Sequence, residues 1–155
     1  MKKNPFKELK KVILLKEKIE YYVVFKADEI TYALKTDNIK EFIPASEKKD
    51  LPNTPEFIVG VVTQNNQPIT LIDLNRLLSE KFQEYNKDNI IINFEFEKKN
   101  YGFFTNKIID VIPVEQMALN DVGDEMQEFY FVENTFSLEN EIVLIINVEK
   151  ILKNK

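Results

Sequence analysis

The chain repeats itself, and that repeat limits what it can fold into. Laying Tyr22 to Pro44 over Ile91 to Pro113, 69 residues apart, sets Phe25 on Phe94, Tyr32 on Tyr101, Thr36 on Thr105, Ile39 on Ile108, Ile43 on Ile112 and Pro44 on Pro113. Glu41 falls on Asp110, and Ala33 on Gly102. A second match follows in the same order, Leu71 to Leu78 over Ile145 to Leu152, now 74 residues apart. Two matches in one order point to a duplicated unit whose copies bury their apolar surfaces against each other.

Each unit reads as strands. Glu20 to Lys26 and Asn89 to Glu97 are rich in Tyr, Val, Ile and Phe, which suit a pleated, half-buried surface. Asn93, Glu95 and Glu97 alternate with Ile92, Phe94 and Phe96, the period of a strand with one wet face. Polar breaks at Ala27-Asp28-Glu29 and Lys98-Lys99-Asn100 predict hairpins returning along Thr31 to Lys35 and Tyr101 to Thr105. A third strand follows in each unit, Ile39 to Ile43 and Ile108 to Ile112, stopped by Pro44 and Pro113. After a polar connection from Ala45 to Pro55, Phe57 to Val62 and Pro68 to Ile72 read as a hairpin whose Asn65-Asn66 turn tolerates positive φ. Asp73 is placed to cap a helix from Leu74 to Lys81, and Asn147 one from Val148 to Leu152. In the second unit Phe129 to Val132 and Glu141 to Ile146 fill the strand slots, with Phe129-Tyr130-Phe131 read as buried strand and Glu115 to Glu128 as a mobile acidic loop.

The expected fold class is therefore mainly β, two small five-strand barrels packed together, each closed by a short helix. Closure removes exposed sheet edges, and units this small need each other's shelter. The barrels are expected at roughly 20–82 and 88–152 within one domain over 19–155, with strand exchange between them allowed. Residues 1–18 form an extension: Asn4-Pro5 can open a helix with Phe6, Leu9 and Ile13 on one face, a frayed tail being the alternative.

Composition narrows the function classes. The 21 basic and 26 acidic residues give a net charge of −5, not the basic footprint of a nucleic-acid binder, and Arg76 is the only arginine. Apolar runs such as Ile142 to Ile146 are far short of the roughly 20 residues that span a bilayer. The Lys-rich start does not read as a secretory leader and the sequence holds no cysteine, so a cytoplasmic location without disulfides is expected.

Catalytic chemistry finds little material. The chain has no His and no Cys, and Ser46, Ser79 and Ser137 sit in no nucleophile elbow. Gly60, Gly102 and Gly123 make no phosphate loop. Asp121, Asp124 and Glu125 depart from calcium-loop spacing and read as solvated surface. Phe25, Tyr32, Phe94 and Tyr101 recur at matching repeat positions and read as core. The expectation is a binding module, not an enzyme, with no cofactor and no metal. A small-barrel ligand or nucleic-acid binder and a carboxylate hydrolase stay open as alternatives.

Five segments carry a resemblance: YVVFKADEITYAL, IKEFIP, NTPEFIVGVV leading to PITLIDL, YGFFTNKIIDVI, and the closing IVLIINVEKIL. Through them the chain resembles the CheW family of bacterial chemotaxis coupling proteins, from about Glu20 to Leu152. The resemblance implies two SH3-like barrels and an adaptor joining the cytoplasmic tips of chemoreceptors (methyl-accepting chemotaxis proteins) to the regulatory domain of the chemotaxis histidine kinase. It implies a receptor groove at Ile39, Glu41, Asn65, Ile90 and Val111, a kinase contact at Phe42 and Ile43, and no direct membrane insertion. One departure matters. Where the family carries an Asn-Leu-Arg-Gly turn, this chain has Thr63-Gln64-Asn65-Asn66, so the arginine that typically faces the position of Glu41 is replaced by Asn65. Either a partner's basic residue meets Glu41, or the chain is a specialised variant with other protein partners.

Overall fold

Where β-branched and aromatic residues crowd the repeat, the chain is strand. The computed structural model describes residues 5, 7, 18–78, 82–122 and 129–153. Within them lie β1 (Ile19–Ala27), β2 (Ile30–Lys35), β3 (Ile39–Pro44), β4 (Ile58–Gln64), β5 (Gln67–Ile72), a short helix α1 (Leu74–Leu77), β6 (Ile90–Phe96), β7 (Lys99–Thr105), β8 (Lys107–Glu115), β9 (Asn120–Asp121), β10 (Val132–Leu138), β11 (Glu141–Ile146) and α2 (Val148–Lys153). The fold is mainly β.

The sheets do not follow the repeats. One lobe is ordered β8-β1-β2-β11-β10-β9 and the other β3-β6-β7-β5-β4. The second lobe is thus continuous in the chain, while the first joins its opening hairpin to strands from the far half. The halves at 20–82 and 88–152 mark the repeat; the lobes arise because each third strand crosses over, β3 to β6 and β8 to β1.

The duplication survives in the register. Glu41 lies opposite Asn93, and its repeat mate Asp110 opposite Val24. Thr70 pairs in parallel with Tyr101, and Leu144 with Tyr32. The irregularity between Ile58 and Gly60 recurs between Val132 and Asn134. Even the ring pairs match: Phe25 on Tyr32 and Phe94 on Tyr101 are both 5.8 Å apart, centroid to centroid. Asn65-Asn66 and Glu139-Asn140 are corresponding two-residue turns with both residues at positive φ, the geometry that matches hairpin twist.

Three cores follow from which way each strand faces. Tyr22, Val24, Ala33, Phe136, Val143 and Ile145 fill the first lobe, and Ile43, Val62, Ile69, Leu71, Ile91 and Phe104 the second. The opposite faces of both sheets, including Val23, Phe25, Ile92, Phe94 and Phe103, meet in a larger shared core. Most central strands are therefore apolar on both faces. Asn93 accordingly has no wet face: it points into the second lobe and is 2% exposed.

Other expectations shift by a few residues. The last hairpin's first strand is Val132–Leu138, not Phe129 to Val132. Phe131 is instead a buried plug before the strand, and its carbonyl accepts from Asn147 N at 2.8 Å, as Phe57 does from Asp73 at 2.7 Å. β8 runs through Pro113 to Glu115, which an edge strand permits because the missing N–H breaks no inner ladder. Turning at Glu97-Lys98 leaves Lys99 and Asn100 in β7. The expected loop after Glu115 contains a 3-10 turn at Gln116–Ala118 and then β9, while Asp124 and Glu125 lie outside the described residues. So do Ser79 to Lys81 of the expected first helix, and Phe6, Leu9 and Ile13 of the N-terminal one.

Asp73 is fully buried and caps α1, Oδ1 accepting from Arg76 N at 3.1 Å, while Oδ2 accepts from Gln83 N, beyond the helix, at 2.8 Å. Burial raises its carboxyl above the usual range, while the amides facing it pull the other way. Tyr22 carries a larger shift. Burial first, then the negative charges of Glu133 and Glu20, push its phenol from 10.0 to about 12. A raised folded value means the contribution is fully present below the unfolded pKa near 10 and is lost as pH climbs through about 12. About 2–3 kcal/mol should disappear across that window. Urea titrations on its two sides, compared between wild type and Tyr22→Phe, check this, with the variant showing the flatter profile.

Candidate protein-interaction face

The β3 strand carries most of the residues expected at a site, and its register sorts them onto two faces. Phe42 lies opposite Ile92 and Pro44 opposite Ile90, so Phe42, Pro44 and Ile90 share the sheet face that continues into the shared core. Ile39, opposite Phe94, is on that face too and packs against the same core. A register shift between Ile39 and Glu41 then turns Glu41 and Ile43 to the other side, with Asn93 and Ile91. Ile43 is 5% exposed and belongs to the core of the second lobe, so its side chain offers no contact surface.

The expected groove and the expected kinase contact therefore overlap. Phe42 (46% exposed) lies diagonally across from half-buried Ile90, whose direct partner is Pro44, and shares its sheet face. Val111 (48% exposed) sits in the other lobe on edge strand β8, opposite Val23. It is the repeat mate of Phe42, as Tyr21 is of Ile90 and Pro113 of Pro44. Tyr21, 55% exposed, lies opposite Pro113. Each lobe thus presents the same apolar corner beside the shared core: Phe42, Pro44 and Ile90 in one, Val111, Pro113 and Tyr21 in the other. Exposed apolar side chains gathered in a contiguous patch are the kind of surface on which other molecules dock. The sequence reading missed Tyr21 and Pro44, although the 69-residue offset points to both.

The two polar residues expected at the groove lie elsewhere than on this face. Asn65 lies in the exposed β4–β5 turn at φ 51 and, among the described residues, makes no side-chain hydrogen bond. Half-buried Glu41 accepts from Asn93 Nδ2 at 3.0 Å and has no ion pair among the described residues. The one arginine is committed elsewhere: Arg76 pairs with Glu56 and lies over the Phe82 ring, 4.2 Å from its centroid. Asn93 Oδ1 is buried without a hydrogen-bond partner among the described residues, a state that costs about 1–3 kcal/mol. Among the described residues no group of three or more carboxylates is placed to hold a metal ion. The raised carboxyl of Asp73 is buried and occupied by the Arg76 and Gln83 amides rather than open to a cleft.

The comparisons agree with this architecture. The CheW-like domain family matches residues 21–155. The chain is similar to the chemotaxis protein CheW of Helicobacter pylori, 24% identical over 138 residues, 88% of this chain and 84% of that protein. It is also similar to the chemotaxis protein CheW of Thermotoga maritima, 22% identical over 131 residues, 83% and 85% of the two chains. Among solved structures, the scaffolding protein TtCheW from Thermoanaerobacter tengcongensis matches with a TM-score of 0.72 at 25% identity, covering 82% of this chain and 88% of that one. The two lobes correspond to the two SH3-like barrels of that fold.

Proposed function

The chain belongs to the CheW-like family, and from that membership we propose that it is a non-catalytic cytoplasmic adaptor of chemotaxis. It couples the cytoplasmic tip of a chemoreceptor to the regulatory domain of the chemotaxis histidine kinase. The observation that carries this reading is the apolar corner repeated on the two lobes, Phe42 with Ile90 and Val111 with Tyr21, exposed on either side of one shared core. A helical hairpin laid against such a surface gains from apolar anchors, while polar contacts set its register. Ile39, Ile90 and Val111 serve the receptor, with Glu41 and the Asn65 turn as polar contacts away from that apolar corner. The kinase contact is narrowed to Phe42, so the two footprints meet on β3.

Titration of the full chain with a chemoreceptor cytoplasmic hairpin, and separately with the kinase regulatory domain, tests this. Phe42→Asp should weaken both complexes about tenfold or more, as loss of a central apolar anchor does. Val111→Asp should weaken the receptor complex alone, and Asp121→Ala neither. A folded wild-type chain that binds neither partner rules the reading out.

A further inference from the structure

The segment that leads into β6 closes the second lobe. Gln83 is 5% exposed, its N–H donating to Asp73 Oδ2 at 2.8 Å and its Nε2 to the Phe104 carbonyl at 2.6 Å. Two residues on, Tyr85 stands edge-on to the Phe104 ring at 5.3 Å. With Ala45 it packs against the core that holds Ile43 and Val62. Its hydroxyl reaches the rim at Ser46, accepting from that residue's N–H at 3.1 Å. The repeat mates of Ile43, Ala45, Ser46 and Val62 are Ile112, Val114, Glu115 and Phe136. All four line one cleft of about 400 Å³ in the first lobe, between β8 and β10. The place that Tyr85 fills in one lobe thus corresponds to a cleft in the other.

The chain leading into β1 is the counterpart of that closing segment. The 69-residue offset lays Ile13 to Glu20 over Phe82 to Asn89, with Lys16 on Tyr85 and Lys18 on Lys87. The pairing at the strand start repeats as well: Ala45 N donates to the Asn89 carbonyl at 3.0 Å, and Val114 lies opposite Glu20. We propose that residues 13–18 dock along this cleft as the first lobe's own closing segment. Leu15 and the stem of Lys16 fill it, and the Lys16 ammonium meets the Glu115 carboxylate. The point where the chain emerges supports this. The Lys18 carbonyl accepts from Gln116 N at 3.2 Å, so the segment arrives next to Glu115. Residues 13–17, outside the described ones, reach up to about 17 Å when extended, more than a cleft of this volume measures across. Tyrosine and lysine suit the same path, each an apolar body with a polar tip. The tips match what they meet, a phenol at the Ser46 backbone in one lobe and an ammonium at a carboxylate in the other. Lys35, which stands in the place of Phe104, is already paired with Glu20 at 3.3 Å and leaves Glu115 to Lys16.

Variants of the full chain test it. Lys16→Glu and Glu115→Lys should each lower the melting temperature by about 3 °C, and the double swap should recover most of the loss. Leu15→Asp should lower it by about 5 °C and shift the amide NMR signals of Phe136, Ser137 and Leu138, on the far wall of the cleft from β8. Losses that simply add in the double swap would overturn the contact between Lys16 and Glu115. Unchanged signals at those three amides in Leu15→Asp, whatever its melting temperature, would overturn the docking itself. Wild-type signals there that move with protein concentration would put a second copy in the cleft instead, and would overturn it equally.

Discussion

Replacing Phe103 by alanine is expected to remove about 4 kcal/mol of stability and to unfold both lobes in one transition. Phe103 is fully buried on β7 of the second lobe, with the Phe94 ring 4.7 Å away and the Phe25 ring 6.4 Å away. Phe25 stands on β1 of the first lobe. The ring cluster therefore spans the junction, and truncation at its centre opens a cavity that neither lobe can close alone. Urea unfolding followed by amide NMR provides the measurement, with Val24 and Val143 reporting on the first lobe and Ile69 and Ile91 on the second. Coincident midpoints, both shifted by the substitution, are expected. Separate midpoints would mean that the lobes are independent and that the corners at Phe42 and Val111 are free to move relative to each other.

How far the sequence could anticipate this can be read from single residues. Phe25, Tyr32 and Phe94 were legible as core because the repeat sets them in register, and chance does not pair aromatics twice. The strands themselves were legible from β-branched and aromatic runs. Register-dependent facts were not. Ile43 reads like Ile39 in sequence, yet a one-residue irregularity in β3 sends Glu41 and Ile43 to the interior face. Asn93 looked like the wet side of an alternating strand; it is buried because β3 crosses over to cover it, a long-range pairing that local period does not encode. Phe129-Tyr130-Phe131 drew the strand assignment by its apolar density, although carrying the 74-residue offset backwards from Leu71 would have placed the strand at Val132 to Leu138. Among the candidate site residues, Ile90, Val111 and Phe42 were legible as apolar, but only the pairing of Pro44 with Ile90 shows that Phe42 and Ile90 share a face.

The second large effect is expected from Asn75→Leu, at about 3 kcal/mol. Asn75, on α1 at the end of the second lobe, is 3% exposed. Its Oδ1 accepts from the Tyr32 hydroxyl at 2.8 Å, and its Nδ2 donates to the Ala27 carbonyl at 2.9 Å. Both partners belong to the first hairpin, so one buried amide ties the second lobe's helix to β1 and β2 of the first. Leucine keeps much of the volume but removes the donor and the acceptor together, and the desolvated groups facing it lose these bonds. The repeat mate of Asn75 is Glu149, which is exposed, so the other lobe has no equivalent tie to take up the load. Thermal and urea unfolding of Asn75→Leu, Tyr32→Phe and the double variant form a cycle. The two single losses should sum to more than the double loss, since both remove the same hydroxyl–amide bond. Strictly additive losses would mean that the bond contributes nothing. A tie of this kind bears on function because the two apolar corners lie on different lobes. A partner spanning both meets them already fixed in relative position only while the junction holds, so Asn75→Leu, far from Phe42 in sequence, should also weaken hairpin binding near its melting temperature.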